Sequence, residues 1–150
     1  MKEPLIDVCD GNMINSSECM ILDLDLVNCK KEDVEFTANY ELKIFRDDRV
    51  HALVSWFDCK FENFENPVTL STAPYAEYTH WKQVVFYMDQ DLVVRKGDVL
   101  KGSVACRKSK TNFREIDVKY SYHIDAPQCK RDFIQLYKVR WVIWIAITNQ

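Results

Sequence analysis

Thr79-His80-Trp81 places an imidazole beside an indole, after the proline-bearing stretch Leu70–Tyr78 and just ahead of the strand-like run Val84–Met88. Histidine is the side chain whose ordinary pKa lies nearest neutrality. At the mouth of a scaffold it can relay a proton or be oriented by a carboxylate. A neighbouring indole offers a flat wall to a planar cation such as guanidinium, a contact worth about 0.5–2 kcal/mol. Taken singly, each also has a bland reading: a lone histidine is more often structural, and a tryptophan more often belongs to a core or an interface.

The other candidates are weaker. His51 and His123 fall inside alternating strand-like runs, His123 on the polar face. Asp23/Asp25 and Glu32/Asp33/Glu35 stand at period-two or turn spacing and read as solvated faces; carboxylate-pair chemistry needs a fixed separation across a cleft. The six cysteines, at 9, 19, 29, 59, 106 and 129, form no C-x-x-C pair, and no histidine stands at ligand spacing beside them. A zinc site is not indicated. Cys59 and Cys106 sit in apolar runs and read as small buried hydrophobes. Gly11, Gly97 and Gly102 are scattered, so neither a dinucleotide turn nor a phosphate loop can be assembled from them.

The elements that must position these residues repeat with a period of two. Ile116 to Ile124 alternates apolar and polar without a break, as a half-buried strand does. Val50–Phe61 reads as one long central strand, with Trp56 and Phe57 in the core. Phe36–Arg46, Cys19–Val27, Leu92–Arg95 and Val99–Arg107 supply further strands. Turn signals separate them at Asp10-Gly11-Asn12, Arg46–Arg49, Glu65-Asn66-Pro67, Lys108–Asn112 and Asp125-Ala126-Pro127. Lys96-Gly97-Asp98 between two short apolar runs predicts a hairpin, and Lys30–Val34 a short helical turn. The expected fold class is all-β, an antiparallel barrel or sandwich of about eight to ten strands. Its aromatic-rich interior reads as filled, which argues against a ligand cavity of its own.

A chain of 150 residues with 47% hydrophobic and 13% aromatic content has ample material for one core. A formal net charge of −3 gives no basic field for nucleic acid. The sequence starts MKEPLIDVCDG, without the apolar core of a signal peptide, and with the cysteine pattern this points to a reduced, intracellular protein. Trp141–Thr148 is membrane-like in composition but far short of the ~20 residues a bilayer span needs. It reads as a final strand or an apolar extension.

Leu70–Pro74 followed by Tyr78-Thr79-His80-Trp81-Lys82-Gln83 resembles the THW loop of protein arginine methyltransferases, closest to the asymmetric-dimethylating, type I branch. Lys2–Val8 resembles the entry into that family's C-terminal β-barrel, and Arg49–Phe57 its central strand. Asn112–Asp117 and Gln135–Arg140 resemble its last hairpin and terminus. The likeness covers residues 2 to 140, so the expected organisation is a substrate-side barrel over 1–140 with an atypical apolar extension over 141–150.

The resemblance implies a parent reaction that moves a methyl group from S-adenosylmethionine to a peptidyl arginine guanidinium. In it, His80 is an accessory catalytic group, while Thr79 and Trp81 help bind substrate. It implies no cofactor-binding residue and no metal ligand in this chain. The S-adenosylmethionine-binding Rossmann-like domain, its glutamate pair and the dimerisation arm are expected elsewhere, and the 150 residues alone are expected to be inactive. Arg/Gly-rich proteins and histone tails are the implied partners, with a homodimer in the full enzyme, no direct nucleic acid or membrane contact, and location in nucleus and cytoplasm. The alternative is a non-catalytic β-barrel module that binds Arg/Gly-rich peptides or docks on a full-length methyltransferase.

Overall fold

The computed structural model describes residues 2–126 and 129–140. Among these the chain forms nine strands: β1 (Leu5–Asp7), β2 (Phe36–Lys43), β3 (Asp48–Ser55), β4 (Asp58–Phe61), β5 (Val68–Ser71), β6 (Gln83–Val94), β7 (Val99–Lys108), β8 (Glu115–Ala126) and β9 (Cys129–Arg140). A four-stranded sheet runs β2-β7-β8-β9, a three-stranded sheet β1-β6-β3, and β4-β5 form a separate pair. Every strand pairing is antiparallel. The fold is all-β, as the alternation predicts.

The inward positions of both larger sheets meet in one core. Val104, Val118, Tyr120, Tyr122, Ile124, Tyr137 and Val139 come from the four-stranded sheet, and Val50, Phe86, Leu92 and Val94 from the other. Phe86 lies between Tyr120 and Tyr137, with ring centroids at 4.9 Å from each, in the tilted and edge-on arrangements aromatic quadrupoles favour. The buried phenols need partners for their hydroxyls. Tyr137 Oη donates to the Tyr87 carbonyl at 2.7 Å, tying β9 to β6, and Tyr122 Oη donates to Gln135 Oε1 at 3.0 Å. Gly102 permits a close crossing: a Cβ there would stand 2.1 Å from the Ser121 carbonyl oxygen and 2.5 Å from Tyr40 Oη. Tyr40 lies across it to donate to that same carbonyl at 2.9 Å.

Several expectations are corrected. The turn at Lys96-Gly97-Asp98 exists, with Gly97 at φ 95°, but it joins no hairpin, because β6 and β7 belong to different sheets. Ile44 N–H donates to the Asp98 carbonyl and Gly97 N–H to the Ile44 carbonyl. The β2–β3 and β6–β7 connections therefore turn the corner together, from one sheet to the other. The long strand Val50–Phe61 breaks at Trp56-Phe57, because the Phe57 backbone bonds to Thr72 instead of a ladder. Both aromatics are consequently half-buried, not core, and so is Cys59, whereas Cys106 is buried. Val84–Met88 and Leu92–Val94 are one strand, β6, which ends one residue short of the expected Arg95 and whose register against β3 shifts across Met88–Asp91.

Cys19–Val27 forms no strand. Ile21 and Leu24 anchor it to the interior, while Asp25 accepts from Val27 N–H and from the Asn28 side chain in a local turn. The helical turn falls at Gly11–Met13, not Lys30–Val34, because Asp10 Oδ1 caps Asn12 N–H at 2.8 Å. At Lys30–Val34 the Asp33 carboxylate takes the Lys30 N–H instead, leaving simple turns. β5 lies within what the sequence shows as loop. Trp141–Thr148 lies outside the described residues.

Candidate functional site

Thr79, His80 and Trp81 stand on the loop between β5 and β6. His80 is exposed and Trp81 is 38% exposed, so neither ring is sealed in the interior. Their centroids are 3.9 Å apart with the planes tilted by 33°. Trp81 also meets Phe57 edge-on at 6.2 Å. Thr79 Oγ1 donates to the Trp81 carbonyl at 2.8 Å, closing a tight turn around the histidine. The threonine hydroxyl thus shapes the turn, and the open surface is left to the two rings.

The loop is secured from beneath by side chains. Thr72 is buried; its N–H donates to the Phe57 carbonyl at 3.0 Å, while Oγ1 donates to that carbonyl and accepts from Phe57 N–H. Gln83, 6% exposed, accepts from Cys9 N–H through Oε1 at 2.7 Å and donates to the Thr72 carbonyl through Nε2 at 2.8 Å. At the loop's outer flank Tyr75 packs edge-on against Trp56 and donates to Glu18 at 2.6 Å. That hydrogen bond to a carboxylate pushes the Tyr75 phenol up to about 12. Lys82 reaches Asp7 at 3.1 Å, and backbone and lysine donors together lower that carboxyl below its usual range.

The remaining candidates separate from this loop. His51 is exposed on β3, and His123 lies on the four-stranded sheet's outer face, 2.7 Å from Asp132. Asp23, Asp25, Glu32, Asp33 and Glu35 are all exposed, as a solvated face requires. Among the described residues no group of three or more His, Cys, Asp or Glu is arranged to hold a metal ion.

Two features escaped sequence reasoning. An open groove of about 990 Å³ runs beside β3, which ends its sheet among the described strands, with Ile14, Ile21, Leu42, Ala52, Val54 and Val85 in its walls. The groove lies between β3 and the irregular segment over residues 13–22, and no local pattern marks it. Neither His80 nor Trp81 lines the groove. The second feature is Glu115, 6% exposed, held between Lys138 at 3.2 Å and Arg140 at 3.0 Å. Burial works to raise its carboxyl, but the Lys138 hydrogen bond and the paired cations outweigh it and hold the group below its usual range.

The described residues thus form an antiparallel β domain that carries an exposed imidazole–indole pair on a side-chain-clamped loop. The profile of the arginine methyltransferase oligomerization subdomain matches residues 1–127, and the chain belongs to that family. It is 42% identical over 131 residues to protein arginine N-methyltransferase 1 of Schizosaccharomyces pombe, covering 87% of this chain and 38% of that one. It is 34% identical to the protein of the same name from Dictyostelium discoideum, covering 93% and 41%. Among solved structures it superimposes on the Trypanosoma brucei PRMT1 enzyme–prozyme heterotetrameric complex with AdoHcy at TM-score 0.88 and 27% identity, over 92% of this chain and 44% of that one. The open Arabidopsis thaliana protein arginine methyltransferase 10, at 21% identity and TM-score 0.85, shares the fold. The chain spans about two-fifths of the length of the curated relatives it matches.

Proposed function

We propose that this chain is the substrate-side half of a type I protein arginine N-methyltransferase, whose complete form moves a methyl group from S-adenosylmethionine to a peptidyl arginine. The observation that carries the reading is the exposed His80–Trp81 ring pair on a loop secured to both β1 and the β3–β4 link. The indole presents a surface suited to a planar guanidinium. The imidazole beside it suits proton handling or orientation by a carboxylate from an apposed domain. A guanidinium is a poor nucleophile until it is held and partly deprotonated, so placement and electrostatics supply most of what this half contributes.

S-adenosylmethionine does not fit the residues present. Gly97 sits in the corner between sheets, a Cβ on Gly102 would collide with Ser121 and Tyr40, and Gly11 packs on Pro74 and Tyr75. None forms an open backbone cradle. The cofactor and the acidic residues that grip the guanidinium are assigned to the other domain of such an enzyme, while the match to an oligomerization subdomain supports a share for this segment in subunit contacts. Arg/Gly-rich proteins and histone tails are the proposed substrates.

The test is a segment exchange: residues 1–140 replace the matched segment of the S. pombe relative, and methyl transfer to an Arg/Gly-rich peptide is measured. The expected result is an active chimera whose turnover falls about tenfold or more in Trp81→Ala, with its melting temperature kept. An inactive but folded chimera overturns the reading. It would favour instead a non-catalytic module that takes a peptide along the β3 groove.

A further inference from the structure

The loop from Thr72 to Gln83 has little backbone bonding of its own. Ala76 N–H donates to the Ala73 carbonyl, and no ladder runs through Glu77–Lys82. What closes the loop is Gln83. Its carboxamide donates to the carbonyl of Thr72, the residue at the loop's opposite end, and accepts from Cys9 N–H, just past β1. Thr72 in turn bonds Phe57 at three points, and Phe57 meets the Trp81 indole. A closed circuit therefore runs Gln83–Thr72–Phe57–Trp81 and back along the chain to Gln83, with Cys9 tied to it through the Gln83 carboxamide. Only a buried side chain with one donor and one acceptor at the carboxamide spacing completes it. An apolar side chain would leave the Cys9 N–H and the Thr72 carbonyl without these partners.

We propose that Gln83 is the positioning residue of this loop, the group that fixes where the His80 and Trp81 rings stand. Its functional meaning rests on the substrate-side reading above. Its test does not, since it is read on the 150-residue chain without cofactor or substrate.

In Gln83→Met, which keeps the bulk and loses both bonds, exchange of the bonded amides of Cys9, Thr72 and Ala76 accelerates about tenfold or more, while β7 and β8 amides stay within about twofold. In Gln83→Glu the outcome depends on pH. The neutral carboxyl donates its O–H to the Thr72 carbonyl and accepts from Cys9 N–H, whereas the carboxylate has no donor for Thr72. The Trp81 indole resonance then coincides with wild type at acidic pH and departs from it as the introduced group ionises. A merely space-filling residue gives no such profile. Unchanged exchange of those three amides in Gln83→Met, equal acceleration throughout the chain, or a pH-independent offset in Gln83→Glu overturns the proposal. If Gln83→Met does not fold, the pH comparison decides alone, in the same two senses.

Discussion

The four-stranded sheet and the Thr72–Gln83 loop hold their side chains in place by opposite means. In the sheet, β7, β8 and β9 pair over nine to twelve residues, and the backbone ladder turns Tyr120, Tyr122 and Tyr137 inward. In the loop the backbone fixes almost nothing, and side chains set the geometry: Gln83, Thr72, Thr79 and the Phe57 ring. Damage to the sheet should therefore cost stability and leave loop chemistry alone until the chain unfolds. Damage to the loop should displace the two rings at little cost to stability.

The largest effect expected on the scaffold side comes from Phe86→Ala, where a β6 ring of the three-stranded sheet packs onto the four-stranded one. Phe86 is 1% exposed and bridges Tyr120 and Tyr137. Its truncation should lower stability by about 3–5 kcal/mol, read as a shift of the urea midpoint. Gly102→Ala follows at about 1–3 kcal/mol, because the added methyl meets backbone oxygen and the Tyr40 hydroxyl at once. By contrast Trp81→Ala, at a partly exposed ring, should move the midpoint by less than about 1 kcal/mol. A Trp81→Ala loss as large as that of Phe86→Ala would break the contrast, since it would make the loop part of the core.

How far each region could be read in advance follows the same division. β8 was legible because Ile116 to Ile124 alternates through its whole length, and a ladder strand needs nothing more. The Thr79-His80-Trp81 loop was legible as a candidate because its residue types are unusual, not because anything local fixes its shape. In the sequence Gln83 stands out only as part of the motif; its role depends on Cys9, 74 positions away, and on Thr72, and no periodicity records such a bond. The split at Trp56-Phe57 was hidden for the same reason, as the two aromatics look like strand until Thr72 claims the Phe57 backbone. The sheet switch at Gly97 was hidden because a tight turn has the same composition whether or not its flanking strands pair.

Titration sharpens the comparison. Burial, with the acidic surroundings of Tyr122 and Asp89, pushes the Tyr137 phenol up to about 12 from an ordinary 10.0. A raised folded value means stability fully present below about 10 and lost as pH climbs through about 12. Alkaline unfolding should begin in that window, with tyrosinate absorbance and loss of β circular dichroism rising together. Ionisation well below it, with the sheet intact, would show that the core phenols are not held as described. At the acid end the sign reverses. Glu115 has a lowered folded value, so its contribution is present above the ordinary 4.5 and lost as pH falls through the folded value. Glu115→Gln should flatten the acid limb of the stability curve.

The smallest effect belongs to the sheet's outer face. Lys101 Nζ stands 3.0 Å from Glu41 Oε2 across β2 and β7, with both side chains about 60% exposed. Water screens such a pair, and ordering two long side chains offsets most of the attraction, so Lys101→Met should change stability by about 0.5 kcal/mol or less. The value matters as a baseline. If removing this surface pair cost as much as Gly102→Ala, the stability of the four-stranded sheet would have to be sought in its charges and not in the tyrosine-lined core. The proposed separation between a ladder-held scaffold and a side-chain-held loop would then lose its physical basis.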